Sequence, residues 1–271
     1  MYGAIIGDMI GVPYEFNATK KKDFPLFAKD SRCSDDSIMT LAVADALLHT
    51  ESMEESFFKT ELVRSLIRWG REYDHAGYGP RFKQWLRSDM PVPYGSWGNG
   101  SAMRVSPVGW LYDSLEETRK VARWTAEVTH NHEEGIKGAE SVASAIFLAR
   151  NGKTKEGIKD YIESEFCYNL SKTCEEIRPE YKFEVSCQKS VPEAIIAFLD
   201  SCSFEDAVRN AVSLGGDADT QACIAGAIAE SYYGVPENLK KECEKRLDFA
   251  QKLVLIHFEQ RKTETKRRKD S

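Results

Sequence analysis

The chain has 271 residues, enough for one large domain or two small ones. Its 42% hydrophobic, 30% charged and 11% aromatic residues exclude a disordered, collagen-like or disulfide-stapled miniprotein class. A net charge of −6 excludes a global basic field for gripping nucleic acid, and no apolar run approaches the ~20 residues of a membrane span.

The first element is an apolar helix in the run Met1-Tyr2-Gly3-Ala4-Ile5-Ile6-Gly7-Asp8-Met9-Ile10-Gly11, ended by its glycines and Pro13. No basic segment followed by an apolar one precedes it, so the start reads as folded domain and a cytoplasmic location is expected. Helical periodicity predicts further helices over 36–49, 56–69, 115–129, 133–150, 191–200, 203–213, 218–232 and 238–261. Gly77-Tyr78-Gly79-Pro80, Asn151-Gly152, Val191-Pro192 and Gly234-Val235-Pro236 punctuate them. Alternating runs of strand length are nearly absent. The expected architecture is one compact, orthogonal, all-α domain over residues 1–262, followed by a basic polar tail at 263–271. The seven cysteines are odd in number and never form CxxC, which predicts reduced, mostly buried thiols rather than disulfides or a zinc site. Residues 90–102, rich in Gly, Pro and aromatics, read as a shaped loop.

Two acidic clusters stand at predicted helix starts. Ser34-Asp35-Asp36-Ser37 precedes the 36–49 helix, and Gly215-Gly216-Asp217-Ala218-Asp219-Thr220 opens the 218–232 helix. A helix N-cap needs one such side chain. Each cluster holds two carboxylates and a hydroxyl, and the repulsion within it calls for a compensating charge. Hard divalent cations take this donor set, and two clusters together suit a binuclear site with metals ~3.5–4 Å apart. Asp8 reads equally well as a buried structural carboxylate or as part of that site. Glu15 lies on a loop just beyond the first helix and can reach the clusters. His130 and His132 stand at i, i+2 with no further histidine or cysteine nearby, which disfavours zinc. No GxSxG motif is present, which disfavours serine-hydrolase chemistry.

Taken in order, GAIIGDMIGVPYE, SDDS before a helix, YGSWGNGSAMRVSPVG, Thr129-His130 and GGDADT resemble the ADP-ribosylglycohydrolase family. The resemblance runs from residue 3 to about residue 236. Each motif alone is weak; five in register are specific. The resemblance implies an all-α fold around two Mg²⁺ or Mn²⁺ ions. It implies metal ligands at Ser34, Asp35, Asp36, Asp217, Asp219 and Thr220. It implies substrate contacts at Asn99, Gly100, Ser101, Met103 and His130. Position 34 is Ser where the family more often has Thr, and residues 150–190 carry no family signature.

The activity so implied is metal-dependent hydrolysis of the bond at C1″ of ADP-ribose, with a modified protein side chain or other acceptor leaving. Nucleic acid is not excluded as that acceptor. Metals orient the ribose and acidify a water; carboxylates move its proton. Glu15, Asp217 and Asp36 are the catalytic candidates. Gly95, Gly98 and Gly100 let backbone N–H groups converge on a diphosphate. Arg104 is read either as a phosphate contact or as a buried tie between loop and helix. Tyr78, Tyr94 and Trp97 are candidate stacking partners for adenine. Two other readings compete: a non-catalytic ADP-ribose binder or crystallin-like protein on the same fold, and a phosphohydrolase that would yield AMP.

Overall fold

The computed structural model describes residues 1–52 and 54–270, with side chains placed through residue 265. Among the described residues there are fifteen α-helices and no strand beyond one isolated antiparallel bridge, Gly98 to Ser186. In chain order they are α1 (Tyr2–Gly11), α2 (Asp35–His49), α3 (Glu55–Glu72), α4 (Pro80–Arg87), α5 (Gly100–Met103), α6 (Val108–Leu111), α7 (Leu115–Glu127) and α8 (Glu133–Arg150). Then follow α9 (Lys155–Phe166), α10 (Cys174–Ile177), α11 (Cys187–Leu199), α12 (Phe204–Ser213), α13 (Ala218–Tyr233), α14 (Glu237–Glu244) and α15 (Phe249–Asp270). The expected compact all-α class is the observed one, and no described helix is long and apolar enough to cross a membrane.

The centre is α13, buried from Ala218 to Glu230. Its main neighbour is α1, and the contact is backbone to backbone. Glycines at 3, 7 and 11 recur every four residues and so form one stripe down α1. A Cβ on Gly3 would stand 2.2 Å from the Gly226 carbonyl oxygen, and one on Gly7 would stand 2.0 Å from that of Ala222. A Cβ on Gly11 would stand 2.4 Å from Asp219 Cα. No side chain fits in this seam. The seam brings Asp8 of α1 against the start of α13, where Asp217 and Asp219 stand.

Three boundaries differ from the sequence expectation. The predicted 238–261 helix is two helices, α14 and α15. Asp248 and Gln251 cap α15 reciprocally: Gln251 N–H donates to Asp248 Oδ1 at 3.0 Å, and Asp248 N–H to Gln251 Oε1 at 3.1 Å. Val191-Pro192 is not a turn; α11 begins at Cys187 and carries Pro192 inside it. Residues 263–270 continue α15 rather than leaving it, and Ser271 lies outside the described residues. The cysteines are unpaired, with Cys174, Cys187, Cys223 and Cys243 buried.

Candidate metal and substrate site

Ser34 caps α2, its Oγ accepting from Asp36 N–H at 3.2 Å. The same Oγ donates to Asp8 Oδ1 at 2.6 Å, and Ser34 N–H donates to Asp8 Oδ2 at 2.9 Å. Ser37 adds its N–H at 3.0 Å and a short hydroxyl bond, both to Asp8 Oδ2. Asp8 is fully buried and takes four hydrogen bonds, so it ties α1 to the first turn of α2. At the start of α13 the Asp217 side chain makes no cap bond. It accepts instead from Asn99 Nδ2 at 2.7 Å. Asp219 Oδ1 accepts from Thr220 N–H at 3.0 Å, and Thr220 Oγ1 donates to Asp36 Oδ2 at 3.2 Å.

The acidic clusters meet, as two groups of carboxylates able to hold a metal. One group is Asp8, Asp36 and Asp219; the other is Glu15, Asp217 and Asp219. In each, one oxygen per residue lies within 4.8 Å of the others. Burial, first, pushes all of these carboxyls and that of Asp35 above the ordinary range. Neighbouring carboxylates push Glu15, Asp35, Asp36 and Asp219 further. Glu15 reaches about 8, and Asp217 about 6, where the Asn99 bond opposes burial. Asp36 Oδ1 is buried with no hydrogen-bond partner. A buried, unpartnered carboxylate oxygen among like charges is costly unless a cation offsets it. An all-oxygen donor set suits a hard divalent ion.

These groups form one end of a cavity of about 520 Å³. Its wall includes Glu15, Asp35, Asp36, Asp217, Asp219 and Thr220, and beyond them Asn99, Gly100, Met103 and His130. Two predicted site residues stand behind that wall. Ser34 is committed to Asp8 and to its cap, and its carbonyl accepts from Ile38 N–H at 3.1 Å. Ser101 is fully buried and donates its hydroxyl to the Gly135 carbonyl at 2.7 Å.

The glycine loop is held from outside. Asn99 N–H donates to the Val185 carbonyl at 2.8 Å, and Cys187 N–H to that of Trp97 at 2.9 Å. This bridge sets Phe183 and Val185 in the cavity wall beside Trp97, all three exposed, in a segment where the sequence shows no pattern. Phe16 meets Phe183 there, ring centroids 5.8 Å apart. Of the candidate aromatics, Tyr78 is buried against Phe82, and Tyr94 lies between the Arg81 guanidinium and His130. Trp97 is 48% exposed and keeps a free face. Two metal-group members are absent from the predicted ligands: Glu15, expected as a catalytic residue, and Asp8. The signal of Asp8 is the glycine at every fourth position around it.

Fold and cavity together define an all-helical domain with a carboxylate-lined cavity. Within that class the chain belongs to the ADP-ribosylglycohydrolase family, whose model matches residues 1–265. ADP-ribosylhydrolase ARH3 of Mus musculus is 28% identical, the match covering 89% of this chain and 85% of that one. The Bos taurus ARH3 is 29% identical, covering 89% and 87%. ADP-ribosylarginine hydrolase Tri1 of Pseudomonas putida is 25% identical, covering 87% and 70%. A solved "ADP-ribosylglycohydrolase-related protein complex" shares the fold, with a TM-score of 0.69, 22% identity and 95% of each chain covered.

Proposed function

We propose that this protein is a metal-dependent ADP-ribosyl-acceptor hydrolase. It cleaves the glycosidic bond at C1″ of ADP-ribose carried by a protein side chain or other acceptor, and releases ADP-ribose. One observation carries the reading: a single cavity joins an acidic end, with a buried unpartnered Asp36 oxygen, to a glycine loop lined by an exposed aromatic. The family, and the names of the ARH3 and Tri1 relatives, support the same chemistry.

Asp8, Asp36 and Asp219 would hold one divalent cation, and Glu15, Asp217 and Asp219 a second, Mg²⁺ or Mn²⁺, with Asp35 and Thr220 alongside. When bound, such ions neutralise the carboxylates, orient ribose hydroxyls and acidify water. Ser34 serves this site by holding Asp8. Asn99 orients Asp217 so that its other oxygen can accept a proton. Glu15, on the loop after α1, is placed to take or return a proton at the acceptor side. Gly100 offers a backbone N–H group to the diphosphate, and Met103 and Trp97 supply apolar surface to the nucleoside.

The test is incubation with ADP-ribosyl-arginine, ADP-ribosyl-serine and ADP-ribosylated nucleic acid, with and without EDTA. Release of ADP-ribose that EDTA abolishes is expected from at least one. AMP as product would make the protein a phosphohydrolase, and binding without release would make it a non-catalytic binder.

A further inference from the structure

His130 lies within the α7–α8 connection and is buried, with its ring against the cavity. Its Nδ1 lies 2.7 Å from Thr129 Oγ1. Arg104 donates from the same guanidinium nitrogen to Thr129 Oγ1 and to the Thr125 carbonyl, each at 2.7 Å. Arg104 is 1% exposed and makes no salt bridge among the described residues. Thr129 is fully buried, and its hydroxyl has no other acceptor among the described residues.

The proton count follows from these bonds. A hydroxyl has one proton and two lone pairs. Arg104 can only donate, so one Thr129 lone pair is taken. If Nδ1 also donated to Oγ1, the hydroxyl proton would be left buried without an acceptor, at a cost of about 1–3 kcal/mol. The arrangement that satisfies the Thr129 hydroxyl has Thr129 donating to Nδ1. The ring proton then sits on Nε2. That nitrogen is next to the glycine loop: a Cβ on Gly100 would stand 3.0 Å from it, and one on Gly98 3.8 Å.

We propose that Arg104 and Thr129 are positioning residues that lock His130 as the Nε2–H tautomer, a fixed hydrogen-bond donor aimed at the cavity beside Gly98 and Gly100. Burial first, then the charges of Arg104 and Arg81, hold the ring well below its usual range, so it stays neutral. His130 therefore donates without titrating, and its partner is an acceptor oxygen, such as a phosphate, ether or hydroxyl oxygen. That this oxygen belongs to ADP-ribose rests on the proposed function; the lock itself does not.

The lock is tested in the metal-free protein by ¹⁵N NMR of labelled histidine, with His130→Gln to assign the signal among five histidines. A pyridine-like Nδ1 and a pyrrole-like Nε2 are expected in the parent. Thr129→Val, which keeps the shape and removes the hydroxyl, should release the tautomer to a mixture, and Thr129→Ser should restore it. Arg104→Gln should also give a mixture; where that variant does not fold, the Thr129 pair decides. A proton on Nδ1 in the parent, or an unchanged tautomer in Thr129→Val, overturns the proposal. ADP-ribose affinity should fall about tenfold in Thr129→Val and recover in Thr129→Ser, the worth of one hydrogen bond. ADP-ribose that leaves the parent His130 signals unmoved sinks the functional reading and leaves the tautomer result standing.

Discussion

Asn99 Nδ2 donates to Asp217 Oδ2 at 2.7 Å, and its second proton goes to Ser190 Oγ at 3.1 Å. The glycine loop and the start of α13 are therefore one unit, although they are far apart in the chain. Asn99 both presents the loop and orients a carboxylate of the proposed metal group.

Replacing Asn99 by Asp should be worse than replacing it by Ala. Asn99→Ala removes one bond to Asp217. Asn99→Asp sets a second carboxylate against the first in a buried place, where like charges cost most. We expect kcat on an ADP-ribosylated substrate to drop about tenfold for Asn99→Ala and at least about a hundredfold for Asn99→Asp. Steady-state kinetics on the two variants checks this, and equal losses would remove the orienting role.

Two buried aspartates should behave in opposite ways. Asp8 accepts four hydrogen bonds, so Asp8→Ala removes the acceptor of two N–H groups and two hydroxyls. A loss of about 2–4 kcal/mol in unfolding free energy is expected. Asp36 has an oxygen with no partner and like-charged neighbours, so Asp36→Asn should leave the metal-free protein as stable or more so. It should also cancel the melting-temperature rise given by Mg²⁺ or Mn²⁺. Thermal melts with and without metal separate the two residues.

The sequence made the two paired-Asp clusters visible because each exceeds what a helix cap needs. The glycine loop was visible by composition. For Asp8 the sequence leaves a structural carboxylate and a site member equally open, because the choice depends on the register of α1 against α13. That register is written only in Gly3, Gly7 and Gly11, a pattern apolar periodicity ignores. Ser34 and Ser101 looked like site residues because motif position does not say which way a hydroxyl turns. Phe183 and Val185 join the wall through a two-residue bridge, too short to leave a strand signature. The α14–α15 break is not legible because apolar periodicity runs on either side of it, while Asp248 and Gln251, which restart the helix, look in the sequence like any other polar residues.

The α1–α13 seam gives a packing prediction. Gly7→Ala would set a methyl 2.0 Å from the Ala222 carbonyl oxygen, which is helix backbone and cannot rotate away. A loss of at least about 1–3 kcal/mol is expected. Gly79→Ala, with nothing within 4 Å of the new methyl, should change stability by less than about 0.5 kcal/mol. Denaturant midpoints of both variants check the contrast.

An acid-sensitive tie joins α13 to α15. Glu230 Oε1 accepts from Lys262 Nζ at 2.8 Å, and Glu230 Oε2 accepts from Gly3 N–H at 2.7 Å. Burial alone would raise Glu230, but the charges of Lys262 and the Met1 amino group outweigh it and lower the carboxyl to about 2. A carboxyl depressed by folding stabilises fully above its unfolded value, and this contribution is lost as pH falls from about 5 toward 2. Glu230→Gln should therefore lower stability at pH 7 and flatten the slope of stability against pH over that acid window. Urea unfolding at a series of pH values measures it; a parallel curve would show that Glu230 carries none of the acid sensitivity.

Glu15 gives the sharpest test of the proposed chemistry. It follows the 3₁₀ turn Val12–Tyr14, outside α1, and is half-buried rather than locked in the core. It shares a metal group with Asp217 and Asp219, yet its neighbour Phe16 is 85% exposed. A residue with one side in a charged site and the other in solvent can move without breaking packing. Ribose entering the acidic end would compete with the Glu15 carboxylate for the same space. Glu15→Gln keeps the size and removes the charge. The expected result is a fall in kcat of at least about a hundredfold, with ADP-ribose affinity unchanged or slightly better, because a competing anion is gone. Calorimetric titration with ADP-ribose and turnover of the same sample give both numbers. An unchanged kcat would leave the metal groups in place and remove Glu15 from the chemistry. A large loss of affinity with kcat retained would make it a binding residue instead.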